Sequence, residues 1–149
     1  MPLVGVDVSE AFLQGIDLSE ADLLRANFRA ADVRGGKFIG AQMQYADLTT
    51  ANFRDAALEK ADLRNATLQD ADLTGANLSE ADLEGANLAK ADLRNADLRN
   101  AKWQKITDVK LANVFGIKNA PPDFLNWAMQ NGAVSKEADA EWQALLARE

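Results

Sequence analysis

The chain has 149 residues, one domain's worth, with 23 acidic against 16 basic side chains and a net charge of −7. It contains no cysteine, which excludes disulfides and leaves the redox compartment unread, and no histidine, which removes imidazole catalysis and the usual His/Cys zinc sites. No apolar run approaches membrane-spanning length, and the start, Met1 to Val6, lacks the charged leader and apolar stretch of a signal peptide.

From the first residues the chain repeats in fives. Leu3 is in register with Val8, Leu13, Leu18 and Leu23, so the pattern begins almost at the first residue and leaves an open first turn. Such an end is tolerated, packed on another subunit or the product of truncation. The early repeats are irregular, with Phe12 in a slot that is usually Asp, Ile16 and Gly36 in a slot that is usually Ala, and Phe38 and Met43 at apolar centres. Between Ala46 and Trp103 the period is plain: Ala46-Asp47-Leu48, Ala51-Asn52-Phe53, Ala61-Asp62-Leu63, Ala71-Asp72-Leu73, Ala81-Asp82-Leu83, Ala91-Asp92-Leu93.

A helix advances about 500° over five residues, so its Ala/Leu stripe would precess and no face would stay apolar. A strand puts Ala and Leu of one triplet on the same face, but five is odd, and a straight strand would turn the next pair outward. The chain must therefore bend once every five residues, always the same way, and the outcome is a coiled tube. Its Leu positions fill the axis. Of the 19 small positions from 11 to 101, 17 are Ala, which indicates room for a methyl group and little more. The Asp or Asn between them suits a side chain that accepts hydrogen bonds from nearby backbone N–H groups in a turn. The fifth slot collects glycine and asparagine, which tolerate positive φ.

This signature resembles the pentapeptide-repeat family. The resemblance implies an all-β solenoid, a right-handed quadrilateral β-helix with four pentapeptides per coil. Twenty in-register centres from Val8 to Trp103 then give about five coils, a rod of about 24 Å at the strand spacing. We assign residues 1–105 to the β-helix and 106–149 to a partial last coil plus a two-helix C-terminal cap.

After Trp103 the step to Val109 is six residues, the mark of a bulge. Pro121-Pro122 stop the repeat, and Pro122 and Asp123 suit the first turn of a helix with Phe124, Trp127 and Ala128 on one face, ended by Asn131-Gly132. Ser135 is the expected cap of a second helix carrying Ala138, Trp142, Leu145 and Leu146. Phe124, Trp127, Trp142, Leu145 and Leu146 are the candidate functional residues, forming a lid over the last coil, a dimer surface, or both.

Stacking at 20 residues aligns Asp32, Asn52, Asp72 and Asp92 beside Arg34, Arg54, Thr74 and Arg94. Carboxylates about 4.8 Å apart suit Ca²⁺, giving a metal-binding rod as one alternative. The competing reading, that each Asp serves its own turn and Arg offsets its charge, is favoured, and we assign no metal, cofactor or catalytic residue. Acid/base catalysis needs a cleft that a convex rod does not supply, and no phosphate loop, nucleophile elbow or metalloprotease motif is present. Residues 1–105 hold 17 acidic and 12 basic groups and the tail 6 and 4, which argues against direct nucleic-acid binding. Quinolone-resistance members of the family resemble B-DNA and inhibit DNA gyrase as dimers, which makes a DNA-mimicking inhibitor or protector of gyrase or topoisomerase the other alternative. Against it, Arg25, Arg29, Arg34, Arg54, Arg64, Arg94 and Arg99 interleave with the acids. The expectation is a non-enzymatic structural or protein-interaction module, a monomer or a homodimer through the C-terminal helices, with an unknown protein partner and no membrane association. We expect a bacterial protein in the cytoplasm, or in the periplasm or thylakoid lumen if a leader is removed; the family it resembles is especially numerous in cyanobacteria, where some members lie in those two compartments.

Overall fold

The computed structural model describes residues 1–149. Residue i pairs in parallel with residue i+20 from Pro2–Asp22 through Asp82–Lys102. Twenty residues at five per side make a four-sided circuit. Each pairing is a single bridge, because the chain turns before a longer strand can form. The third side, which matters most below, carries the column Phe12, Asp32, Asn52, Asp72, Asp92, Asn113.

The turn repeats one set of bonds. The small-slot amide bonds back to the preceding centre, as Ala81 N–H does to the Leu78 carbonyl at 3.0 Å. The centre and fifth-slot amides donate to the next circuit, and the Asp-slot amide donates to the previous one. The fifth slot takes left-handed backbone whatever residue stands there, from Gly75 (φ 68°) to Asn65 (59°) and Lys60 (60°). That conformation costs about 1 kcal/mol or more for a side chain with a Cβ. It persists at so many non-glycine corners because the hydrogen bonds on both sides of each corner are satisfied only in that geometry.

Inside, the Ala and centre positions from Ala21 to Leu98 are buried in a single apolar cluster. Three phenylalanines meet in it, with Phe38 lying 5.9 Å from Phe28 and 5.2 Å from Phe53 between ring centroids. Gly36 explains how they fit. A Cβ there would stand 2.8 Å from the Phe38 ring, so the missing methyl is the space the ring occupies. At the N-terminal end, Leu3, Val6, Val8, Leu13 and Ile16 are only partly buried.

Past Trp103 the ladder continues with its spacing changed from 20 to 21, as in Asn87–Asp108 and Asn113 against Asp92. The extra residue is Thr107. Its amide and hydroxyl both donate to the Ala86 carbonyl (each 2.9 Å), while the Asp108 carbonyl accepts from Leu88, so two residues oppose one. That is a β-bulge. Helix α1, Phe124–Gln130, follows, and helix α2, Asp139–Leu146, ends the chain. Neither starts as its sequence suggests. Asp123 is the N-cap of α1 in left-handed geometry (φ 68°) with no side-chain capping bond, rather than a first-turn residue. Ser135 caps nothing. Val134 beside it is drawn into the third-side ladder against Asn113, and α2 begins four residues after Ser135, with extended Ala138 as N-cap. Tertiary pairing overrides the local capping signal. Neither helix is long and apolar enough to cross a membrane.

Replacing Gly36 with the alanine found at nearly every equivalent position should therefore destabilise the chain. The expected cost of overpacking is about 1–3 kcal/mol, read as a lower thermal midpoint. An equal or higher midpoint would contradict the packing described for Phe38.

Candidate functional site

The Asp slot works locally first. In repeat after repeat its Oδ1 accepts the amide two residues on, as Asp72 does from Thr74 (3.0 Å) and Asp82 from Glu84 (3.0 Å). Where an arginine follows by two, the same carboxylate takes its guanidinium side by side: Asp32 with Arg34, Asp62 with Arg64, Asp92 with Arg94. Hydrogen bonds from Arg34 and then Gln14 hold Asp32 well below the usual carboxylate range. At Asp62 burial pushes the carboxyl up, but hydrogen bonds from Arg64 outweigh it and the net shift is downward. The column Asp32–Asn52–Asp72–Asp92 is thus committed to turns and ion pairs, and no three carboxylates converge as metal ligands.

On the third side the tail adds to this ladder. After α1 the chain returns, Leu111 N–H donating to the Gly132 carbonyl (2.7 Å) and Val114 N–H to that of Val134 (2.8 Å). Asn113, fully buried, bonds both ways to Lys136: its Nδ2 donates to the carbonyl (2.8 Å) and its Oδ1 accepts the amide (3.1 Å). These bonds aim α2 back along the outside of the tube. There Arg94 meets it. Its guanidinium pairs with Asp92 and with Asp139 (3.0 Å), donates to the Glu137 carbonyl (3.3 Å), and lies 5.4 Å from the centre of the Trp142 ring. Asp92, then Asp139, raise the Arg94 pKa above its ordinary value against the opposing effect of burial. Trp142 in turn donates its indole N–H to the Leu111 carbonyl (2.9 Å). Beyond α2 the chain is tied to the last coil by Lys110 and Glu149 (3.1 Å).

Between α2 and the third side lies a groove of about 660 Å³. Asp72, Thr74, Asp92 and Arg94 line it from the ladder, and Asp139 and Trp142 from the helix. The three other recesses, of about 190 to 400 Å³, are smaller.

The five tail residues singled out from the sequence fall in two places. Phe124 is buried, and its ring and that of Trp127 lie 5.6 and 5.3 Å from Trp103, at the end of the axial row. Trp142 is buried on the side of the rod with Arg94, and Leu145 and Leu146 are half-buried in α2. Arg94, Glu137 and Asp139, which line the groove, and Asn113, which fastens the returning segment, do not stand out as a group in the sequence. The signal available is thin: an arginine beside a column of acids, and two acids around the start of the last helix.

With this geometry in place, the kinship is direct. A sequence model described as pentapeptide repeats (8 copies) matches residues 3–38, 37–70 and 68–102. The chain belongs to the pentapeptide-repeat family, whose members form right-handed quadrilateral β-helices. Among solved structures it is similar to the pentapeptide-repeat protein Rfr23 from the cyanobacterium Cyanothece 51142, at 22% identity and TM-score 0.56 over 91% of each chain. It is similar also to trypsin-treated R167E QnrB1, a plasmid-mediated fluoroquinolone resistance protein, at 16% identity and TM-score 0.51 over 99% of this chain and 82% of that one. A third, alr5209, a pentapeptide-repeat protein from Nostoc PCC 7120, is 30% identical over 91% of this chain and 80% of its own, with TM-score 0.34. No curated protein matches the chain.

The depressed carboxylates predict a sign for acid sensitivity. The folded state holds Asp7, Asp17, Asp32, Asp47, Asp62 and Glu84 below their ordinary pKa. In acid it therefore binds fewer protons than the unfolded chain, and their contribution is complete above the unfolded values, about 4, and lost as pH falls further. The thermal midpoint should be level near neutrality and drop progressively below about pH 4. A midpoint that rises on acidification would contradict the carboxylate bonding.

Proposed function

We propose that the protein is a non-enzymatic interaction module: a rigid rod of about five coils with a bulged last coil, closed by α1 as a lid and carrying its binding surface beside α2. The observation that carries this reading is the groove, the largest of the four recesses on the rod. Rigidity supports it as well. The surfaces on either side of the groove are fixed by backbone ladders and by the Arg94 and Asn113 bonds, so a partner meets a surface already ordered. No catalytic family accompanies the family match, and within the groove Asp72 is paired with Arg54 and Asp92 with Arg94. With Phe124 turned onto Trp103 and Trp142 onto Arg94, self-association through the tail would use the outer surface of the helices, where Leu125 and Met129 are exposed.

The likeness to a fluoroquinolone resistance protein favours a second reading, a DNA-like rod that engages gyrase or topoisomerase. The charge distribution weighs against it. Residues 1–20 carry four carboxylates and no basic side chain, whereas 101–120 carry four lysines and only Asp108. A duplex has uniform negative charge along its length.

The test is affinity capture from extract of the source cells with the wild-type chain and with Thr74→Trp, a substitution that fills the groove without entering the axial core. A partner retained by the wild type and lost with Thr74→Trp is expected. Partners held equally by both, or inhibition of gyrase supercoiling by both, would contradict the groove reading.

A further inference from the structure

The charges around the groove do not balance. Arg94 is fully engaged within the chain, by Asp92, Asp139, the Glu137 carbonyl and the Trp142 ring. The other cation, Arg54, is half exposed and reaches Asp72 only at 3.6 Å. Facing them, Asp70 and Glu137 are exposed lining residues with no basic partner within ion-pair distance. On the same wall the Thr74 hydroxyl oxygen is shut from solvent and has no hydrogen-bond partner, while its amide is already committed to Asp72. Phe115, half-buried, and Trp142 add an apolar border.

Spare negative charge and an apolar border call for a ligand with N–H donors on an aliphatic stem, whose head meets the rim carboxylates and not the enclosed Thr74 hydroxyl. A lysine or arginine side chain has that form. A bare divalent cation does not fit as well, because no three carboxylates converge on one point. We infer that the groove takes a lysine- or arginine-bearing extended segment of the partner protein. The inference rests on the interaction-module reading and names the chemistry of its partner. The cationic head competes with Arg54 for Asp72, and its stem lies along Phe115 and Trp142. Asp70 and Glu137, at the rim, set the preference for positive charge and steer the encounter more than they hold the complex.

The test titrates the full chain with short oligolysine and oligoarginine peptides at physiological salt, followed by calorimetry and tryptophan fluorescence. The expected result is a single site, weakened about tenfold or more, which is about 1.4 kcal/mol or more, by Asp70→Lys with Glu137→Lys. The same charge change on the fourth side, Glu20→Lys with Glu80→Lys, should leave that site intact. All four residues are exposed, so folding is not at stake. No binding, several equivalent sites, equal loss with both variant pairs, or preference for oligoglutamate would overturn the inference. So would a captured partner that Thr74→Trp excludes but that oligolysine fails to displace, and that outcome would leave the interaction-module reading standing.

Discussion

Everything in this molecule depends on a steric limit repeated every five residues. From Ala21 to Ala101 the slot before each Asp-slot residue holds a methyl group or, at Gly36, nothing, and only the partly buried first circuit admits Val6 and Ile16. Ala21, Ala41, Ala61 and Ala81 are all buried in that slot. With nothing larger at the corner, the chain folds inward tightly enough to close a circuit in 20 residues, and closure brings residue i beside i+20. The ladder bonds, the left-handed corners and the stacked columns of side chains follow from that register. Gly36 marks the limit from the other direction, since even the methyl must go when the neighbouring centre is Phe38.

The same register explains why the groove forms at one end. A regular rod presents similar convex sides along its length. The extra residue at Thr107 shifts the last circuit, and the chain then leaves the ladder and returns to it at Val134. Asn113 performs an Asp-slot role for its own turn, accepting the Phe115 amide, and fastens the returning segment at Lys136 as well. Arg94 likewise pairs with Asp92 in the manner of Arg34 and Arg64, and then extends to Asp139 of α2. The groove is thus made by residues of the repeat used a second time.

The fold was largely legible because its cause is periodic: the Ala slot, the axial Leu row and the Asp turn each recur often enough to exclude a helix or a flat strand. The tail was legible only in part. Phe124 and Trp127 packing at the end of the axial row could be anticipated from an apolar face beside an exposed core. The start of α2 could not, since Ser135 is a sound capping residue and only the long-range pairing of Val134 with Asn113 displaces it. The groove was invisible for the same reason. Asp92 and Arg94 read as one more turn, and nothing local in Asp139 or Trp142 says that they lie against it.

The register of 20 is the central claim, and the absence of native cysteine makes it directly measurable. Thr67 and Asn87 are paired across the ladder, at a separation of about 5 Å expected for neighbouring strands and within the reach of a disulfide. Mild oxidation of the double variant Thr67→Cys with Asn87→Cys should give an intramolecular disulfide, and Thr67→Cys with Asp82→Cys, on different sides, should not. A disulfide in the second variant but not the first would contradict the four-sided circuit on which the whole account rests.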